Sequence, residues 1–398
     1  MPAPIRFPLP LLLALALTMM LAPFALDTYL PAFPAMADVL GVGQQAIAVT
    51  VSVFIFALAI GQLVGGVLSD HYGRKTILLG GLLLASCAAL LQAMADDLLL
   101  LMVGRALQAF GAGWALVSVP ALVRDRVAGR QAAKMFSLLG LIMVVAPALA
   151  PIVGSALLSF GSWRLIFLFL ALYAALLIPL VATTLTSSQA TPNIVTAKSH
   201  WLASYSAVLS NTRALPYILW QTGSFTVMML FITHSSFIYQ IHFEQTADTF
   251  ALLFAANIVA MFTFNLLNRL LLSRFSPLAI LRLATVCQGA GLVLLLMASV
   301  FSWTLSVFLL SMMLTIGALG AITPNIQACF LDHFPTNSGT AAALIGAAQF
   351  GIAGLVSALS AQLPLNLPTV VLTMAICGWA GLIIMLWSLR WEAPSQQL

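Results

Sequence analysis

The sequence predicts an all-α membrane protein with twelve transmembrane helices in two sets of six. Three observations carry this prediction. Of 398 residues, 62% are hydrophobic and only 6% are charged, against about 25% charged in a soluble domain. The apolar residues fall in runs of about 20 or more, the length that crosses a hydrocarbon core of ~30 Å. These runs are uniformly apolar rather than alternating, which selects helices over barrel strands. A water-soluble enzyme is thereby excluded. The net charge of +5 does not point to nucleic acid, because the basic residues sit in short loops between runs and form no stripe.

The expected spans are 9–30, 46–68, 76–95, 98–122, 135–158, 164–184, 215–238, 249–271, 277–300, 304–328, 339–362 and 369–390. Arg6 precedes the first run as it would in a signal peptide. The run is long, lacks a clear cleavage site and leads into Asp27-Thr28-Tyr29-Leu30-Pro31, so it reads as the first span. With both termini in the cytoplasm, Arg6, Arg74, Lys75, Arg124, Arg126, Arg130, Lys134, Lys198, Arg213, Arg269, Arg274, Arg282 and Arg390 all fall inside or at inner helix ends. The outer loops hold Asp38, Asp96, Asp97, Glu244 and Asp248. The reverse orientation would violate the positive-inside rule. The longest polar interval splits the spans six and six. It divides the chain into an N-terminal half (1–184), a cytoplasmic linker (185–214) and a C-terminal half (215–398).

Cys87, Cys287, Cys329 and Cys377 lie in or beside apolar runs without a C-x-x-C pair. They read as small core residues, and no metal, disulfide framework or cofactor is expected. No G-x-x-x-x-G-K-[ST] loop is present, which disfavours an ATP-driven pump.

Between the second and third spans stands Gly66-Val67-Leu68-Ser69-Asp70-His71-Tyr72-Gly73-Arg74-Lys75. The interval admits only a tight turn at the membrane surface. Gly66 and Gly73 are expected to permit close helix approach and chain reversal. Its charges would each cost ~2.5–3.5 kcal/mol at the bilayer centre, so the turn faces water.

Asp27 and Arg105 fall within spans away from the inner helix ends, where ionisable groups are functional candidates by default. Asp27 follows an unbroken apolar run, and one reading makes it a proton- or cation-binding carboxylate. The other makes it a water-exposed acid at the outer helix end, with Pro31 and Pro34 breaking the helix just beyond. Arg105 lies in the fourth span with Gln108 one turn on. It either faces a wet cavity or a partner, or snorkels to the outer interface. The fifth span carries Pro147 and Pro151, expected to bend it, with Gly154 among small residues suited to close packing. Tyr29, Gln62, Gln108, Trp220, Phe225, Asn257, Asn325 and Gln349 are expected to supply a mixed aromatic and hydrogen-bonding substrate cavity, because buried amides need partners. Gln221, Thr226, Asn265 and Gln327 are read as further buried polar residues. His234 is a lone titratable group near the outer end of the seventh span.

The loop pattern G-x-L-x-D-x-x-G-R-K resembles the cytoplasmic signature of the major facilitator superfamily of transporters. Arg105-Ala106-Leu107-Gln108-Ala109-Phe110-Gly111 resembles its fourth-helix motif, with Ala109 where glycine is usual. Ala146-Pro147 to Gly154 resembles the fifth-helix motif of proton-coupled exporters, with Ala146 and Ala150 replacing glycines. Asp27-Thr28-Tyr29-Leu30-Pro31-Ala32, Arg124-Asp125, Pro324-Asn325 and Phe334-Pro335 with Gly339-Thr340-Ala341 are similar to the Bcr/CflA family of drug-resistance transporters. The resemblance covers about 20–385.

It implies proton-coupled export of small amphipathic compounds, such as bicyclomycin- or chloramphenicol-like antibiotics, across the bacterial inner membrane. The partners would be a small molecule, protons and the bilayer, with no nucleic acid and a monomeric state. Asp27 and Arg105 would couple the proton. Gly66, Asp70, Gly73, Arg74, Arg124, Asp125, Pro147, Pro151 and Gly154 would form the conformational switch, with Asp125 pairing with Arg74 and Asp70 meeting the start of the eleventh helix. Some related exporters carry a second acid two turns before the first-span Asp. Here that face holds Met19, Met20 and Pro23, which implies modest coupling. A metabolite permease of the same fold, moving nucleosides, amino acids or a siderophore, is the alternative.

Overall fold

The computed structural model describes residues 9–126, 129–185, 206, 208–334 and 338–388. Every regular element among them is helical. In chain order these are α1 (Leu9–Asp27), α2 (Phe33–Leu40), α3 (Gln44–Tyr72), α4 (Arg74–Ala93), α5 (Leu98–Arg126), α6 (Gly129–Leu158) and α7 (Arg164–Thr184). They continue as α8 (Leu215–Ser236), α9 (Ala247–Leu271), α10 (Pro277–Val300), α11 (Leu305–Gly317), α12 (Leu319–Leu331), α13 (Ser338–Ser360) and α14 (Leu367–Ser388). Ten stretches among the described residues are long and apolar enough to cross a membrane. The fifth and eleventh spans lie in α6 and α13, of 30 and 23 residues.

Several boundaries differ from the expected spans for physical reasons. The first span does not end at Pro31 and Pro34. A short 3₁₀ turn, Leu30–Ala32, and then α2 follow, each with its proline in the first turn, where the missing N–H costs no helical bond. The loop between the second and third spans shrinks to Gly73 alone between α3 and α4, at φ +88°, a conformation that favours glycine. The tenth span is two helices meeting at Ala318. Gly320 there lies against α9 so closely that a Cβ would sit 2.0 Å from the Met261 carbonyl oxygen. Asn265 donates to the Gly320 carbonyl at 3.0 Å across the same contact. A uniformly apolar run carries no sign of such a break. After α8 the chain makes a π-helical turn, Phe237–His242.

The chain divides into two compact units, Met1–Ala197 with Gln245–Leu252, and Lys198–Glu244 with Leu253–Leu398. Most of the expected linker, residues 186–205 and 207, lies outside the described residues. In the first unit α5 packs between α3 and α4. Gly61 and Gly65 of α3 press on Phe110 and Trp114 of α5, where an added Cβ would meet atoms at 2.4 and 2.7 Å. Gly66, expected to make this approach, has its nearest neighbour at 3.8 Å. It is one position off the contacting face. In the second unit α8 packs against α13 and α14, and α10 against α11, α12 and α14. Trp220, Leu281, Ile322, Ile326 and Phe330 are among the residues of its core.

Candidate functional site

The first unit holds a fully buried polar cluster where α1, α3 and α5 meet. Asp27 closes α1 and is 1% exposed, and Arg105 of α5 is 0% exposed. This burial removes both surface readings, the water-exposed acid and the snorkelling arginine. Arg105 Nη1 donates to the Ala25 carbonyl at 2.7 Å and to Gln108 Oε1 at 2.9 Å. Its guanidinium carbon lies 4.1 Å from the ring centroid of Tyr29 and 4.2 Å from that of Phe54. A desolvated cation over an aromatic face gains about 2 kcal/mol or more, so two rings hold the guanidinium plane firmly. Tyr29 OH and Thr50 Oγ1 are 2.8 Å apart, and Thr50 donates on to the Ile47 carbonyl at 2.6 Å. Thr50 was not anticipated. Its spacing of four from Phe54 puts both on one face of α3 and is the signal that finds it.

The cluster is not fully satisfied. Asp27 Oδ1, Thr28 Oγ1 and Arg105 Nε and Nη2 are buried without hydrogen-bond partners. Buried polar atoms are nearly always paired, so these four stand apart from most of the buried polar groups.

The fifth-span motif supports this cluster from outside. Pro147 and Pro151 lie within one continuous helix, α6, and Ala146, Pro147, Ala150, Pro151 and Gly154 are buried on one stripe. Gly154 abuts the backbone next to Asp27. A Cβ at Gly154 would fall 1.7 Å from the Thr28 carbonyl oxygen.

The expected switch is described in part. Arg74 Nη1 donates to Ser69 Oγ at 3.2 Å. The side chains of Asp70, Arg124, Asp125 and Thr340 lie outside the described part, and so do the pairings expected of them. An unanticipated contact lies beside Arg74. Lys75 Nζ donates to the Ala182 carbonyl at 2.7 Å and to the Leu185 carbonyl, a cation on the electronegative end of α7. Arg164, at the start of α7, pairs with Asp96 at 2.8 Å.

The expected cavity residues do not form one set. Gln62 is half-buried on α3 with its Nε2 unpartnered. Gln349 of α13 accepts from Gln221 Nε2 of α8 at 2.8 Å. Phe225 meets Phe350 edge to face, with centroids 5.0 Å apart. Asn257 donates to Tyr239 OH at 3.1 Å. Trp220 and Asn325 have partners inside the second unit. The Trp220 indole is 1% exposed in the core of the second unit and donates to Thr285 at 3.0 Å. Asn325 donates to Asn268 Oδ1 at 2.6 Å and to the Ala321 carbonyl at 2.7 Å. Both tie helices together within the unit. Gln327 and Cys87, expected to be buried, are exposed. His234 Nε2 is hydrogen-bonded to Ser360 Oγ at 2.9 Å. Among the described residues no group of three or more His, Cys, Asp or Glu side chains could hold a metal ion.

A chain of membrane-crossing helices that buries an acid and an arginine together has the makings of a solute transporter. The sequence profile described as Major Facilitator Superfamily matches residues 15–358, and the chain belongs to that family of transporters. A bicyclomycin resistance protein homolog of Haemophilus influenzae is 28% identical, with 92% of each chain covered. A chloramphenicol resistance protein of Pseudomonas aeruginosa is 31% identical over 71% of this chain and 67% of its own length. Multidrug resistance protein D of Escherichia coli is 28% identical over 89% of each. The fold is similar to that of the xylose transporter XylE of E. coli in a partially occluded inward-open conformation, with TM-score 0.77, 15% identity and 98% and 100% of the two chains covered.

Proposed function

We propose that this protein exports small amphipathic drugs of the bicyclomycin and chloramphenicol type from the bacterial cytoplasm, in exchange for protons. The observation that carries this reading is the buried Asp27 carboxylate with an unpartnered oxygen, in a chain similar to named drug-resistance proteins. In this reading the protein sits in the inner membrane as a monomer with both termini cytoplasmic. Two six-helix halves, joined by the 185–214 linker, open alternately to the two sides. Asp27 takes a proton from the periplasm in the outward-facing state and releases it to the cytoplasm in the inward-facing state. Arg105, held between Tyr29 and Phe54, keeps a positive charge beside the carboxylate.

The test uses purified protein in proteoliposomes with an internal pH dye. Chloramphenicol and a nucleoside are added in turn. Proton movement opposite to chloramphenicol, lost in Asp27→Asn, is expected. Concentrative drug transport by Asp27→Asn would refute the proton role of Asp27. Silence with the drug and proton flow alongside the nucleoside would make the protein a metabolite permease.

A further inference from the structure

We propose that one or two water molecules are sealed inside the second unit between α8, α10 and α14, held by Gln288 and Ser224. The inference is independent of the export reading. Gln288 of α10 is 1% exposed and Ser224 of α8 is 0% exposed. Both ends of the Gln288 amide, Oε1 and Nε2, and the Ser224 hydroxyl are buried without hydrogen-bond partners. An amide unpaired at its donor and its acceptor together is a state that buried groups rarely bear.

Packing on either side brings the two residues face to face. Trp220 Nε1 donates to Thr285 Oγ1 at 3.0 Å, which joins α8 to α10. Further along, a Cβ on Gly378 of α14 would run into Leu292 of α10 and lie 3.1 Å from Val227 of α8. The step from Trp220 to Val227 equals the step from Thr285 to Leu292, so α8 and α10 run the same way and in register. Ser224 lies one turn after Trp220 and one turn before Val227. Gln288 lies one turn after Thr285 and one turn before Leu292. Residues three and four apart share a helix face, so Ser224 and Gln288 meet at the level between the two contacts. The third wall is α14. A Cβ on its Gly381 would lie 3.2 Å from Trp220 Cδ1 and 3.4 Å from Ser224 Oγ. The missing side chain there leaves room and offers no polar partner.

The surroundings select water as the occupant. The helices α8 and α14 contain no Asp, Glu, Lys or Arg, and the one charged residue of α10, Arg282, stands more than a turn before Gln288. An ion entering here would lose its hydration without an opposite charge. Trp220, Val227 and Leu292, each 1% exposed or less, close the space to an organic solute. A water molecule donates twice and accepts twice. It therefore pairs with either end of the Gln288 amide and with the Ser224 hydroxyl, whichever way that proton turns. Buried waters make about three hydrogen bonds to groups that are otherwise unpaired, and three such atoms meet here.

The experiment is a crystal structure of the wild-type protein at a resolution that shows ordered water, joined to melting temperatures of Gln288→Met, Ser224→Ala and the double variant. A density peak within about 3 Å of both the Gln288 amide and Ser224 Oγ is expected. Gln288→Met, which keeps the side-chain length, should lower the apparent melting temperature by about 2–4 °C, the scale of one lost hydrogen bond in a unit of this size. Ser224→Ala should do the same. The double variant should lose less than the sum, because each single change empties the same site. A direct bond between Gln288 and Ser224 with no density peak would overturn the site. So would strictly additive losses. A Gln288→Met variant that melts as high as the wild type or higher would overturn it too, since an amide without water is better replaced by an apolar chain.

Discussion

Gly154→Ala tests the link between the fifth span and the buried acid. The added Cβ would lie 1.7 Å from the Thr28 carbonyl oxygen and 2.8 Å from the Thr28 carbonyl carbon. Both are backbone atoms, so no rotamer change makes room. Reaching an ordinary contact requires α6 and the end of α1 to part by roughly 1.5–2 Å, and a close-packed interior does not absorb that freely. Overpacking of this kind costs about 1–3 kcal/mol. The displaced backbone lies between Asp27 and Tyr29, so the strain falls on the site. A positioned group moved by about 1 Å commonly loses on the order of a hundredfold in rate. The expected result is an apparent melting temperature several degrees lower and drug-coupled proton flux reduced at least tenfold. Gly66→Ala is the matched control, because its Cβ would find its nearest neighbour at 3.8 Å. Gly154→Ala that melts and transports like wild type would refute the reasoning. So would Gly66→Ala with an equal defect, since the two would then differ in nothing the packing predicts.

Two further outcomes follow from the same geometry. Arg105→Lys keeps the charge but loses the planar group that fits between Tyr29 and Phe54 and donates to Gln108. Transport in the proteoliposome assay should fall at least tenfold, and wild-type rates would show that charge alone suffices. Lys75→Gln removes a cation from the last carbonyls of α7, and thermal melting in detergent should show a loss of about 1 kcal/mol, with no effect on chloramphenicol KM.

The spans, their helical form and the two intramembrane ionisable residues were legible in the sequence, because each follows from a one-dimensional cost. Hydrocarbon forbids unpaired backbone and penalises charge wherever the chain crosses it, so runs of apolar residues and the rare Asp27 and Arg105 stand out without any fold. Which residues touch was a different matter. The approach of α3 to α5 depends on helix rotation, and a shift of one residue moves a side chain by about 100°, which separates Gly65 from Gly66. Trp220 and Asn325 looked like cavity residues because polar and aromatic groups in a span need partners. Only packing within the second unit decided that Thr285 and Asn268 supply those partners. The break at Ala318 and the capping of α7 by Lys75 left no mark on composition, since both arise from a neighbouring helix pressing close. The sequence by itself determined that this is a membrane-embedded helical chain with an acid and an arginine set in its spans. The tertiary structure decided that the two lie in one buried cluster, with Gly154 packed against the adjoining backbone, because contact between distant residues depends on helix rotation and close packing.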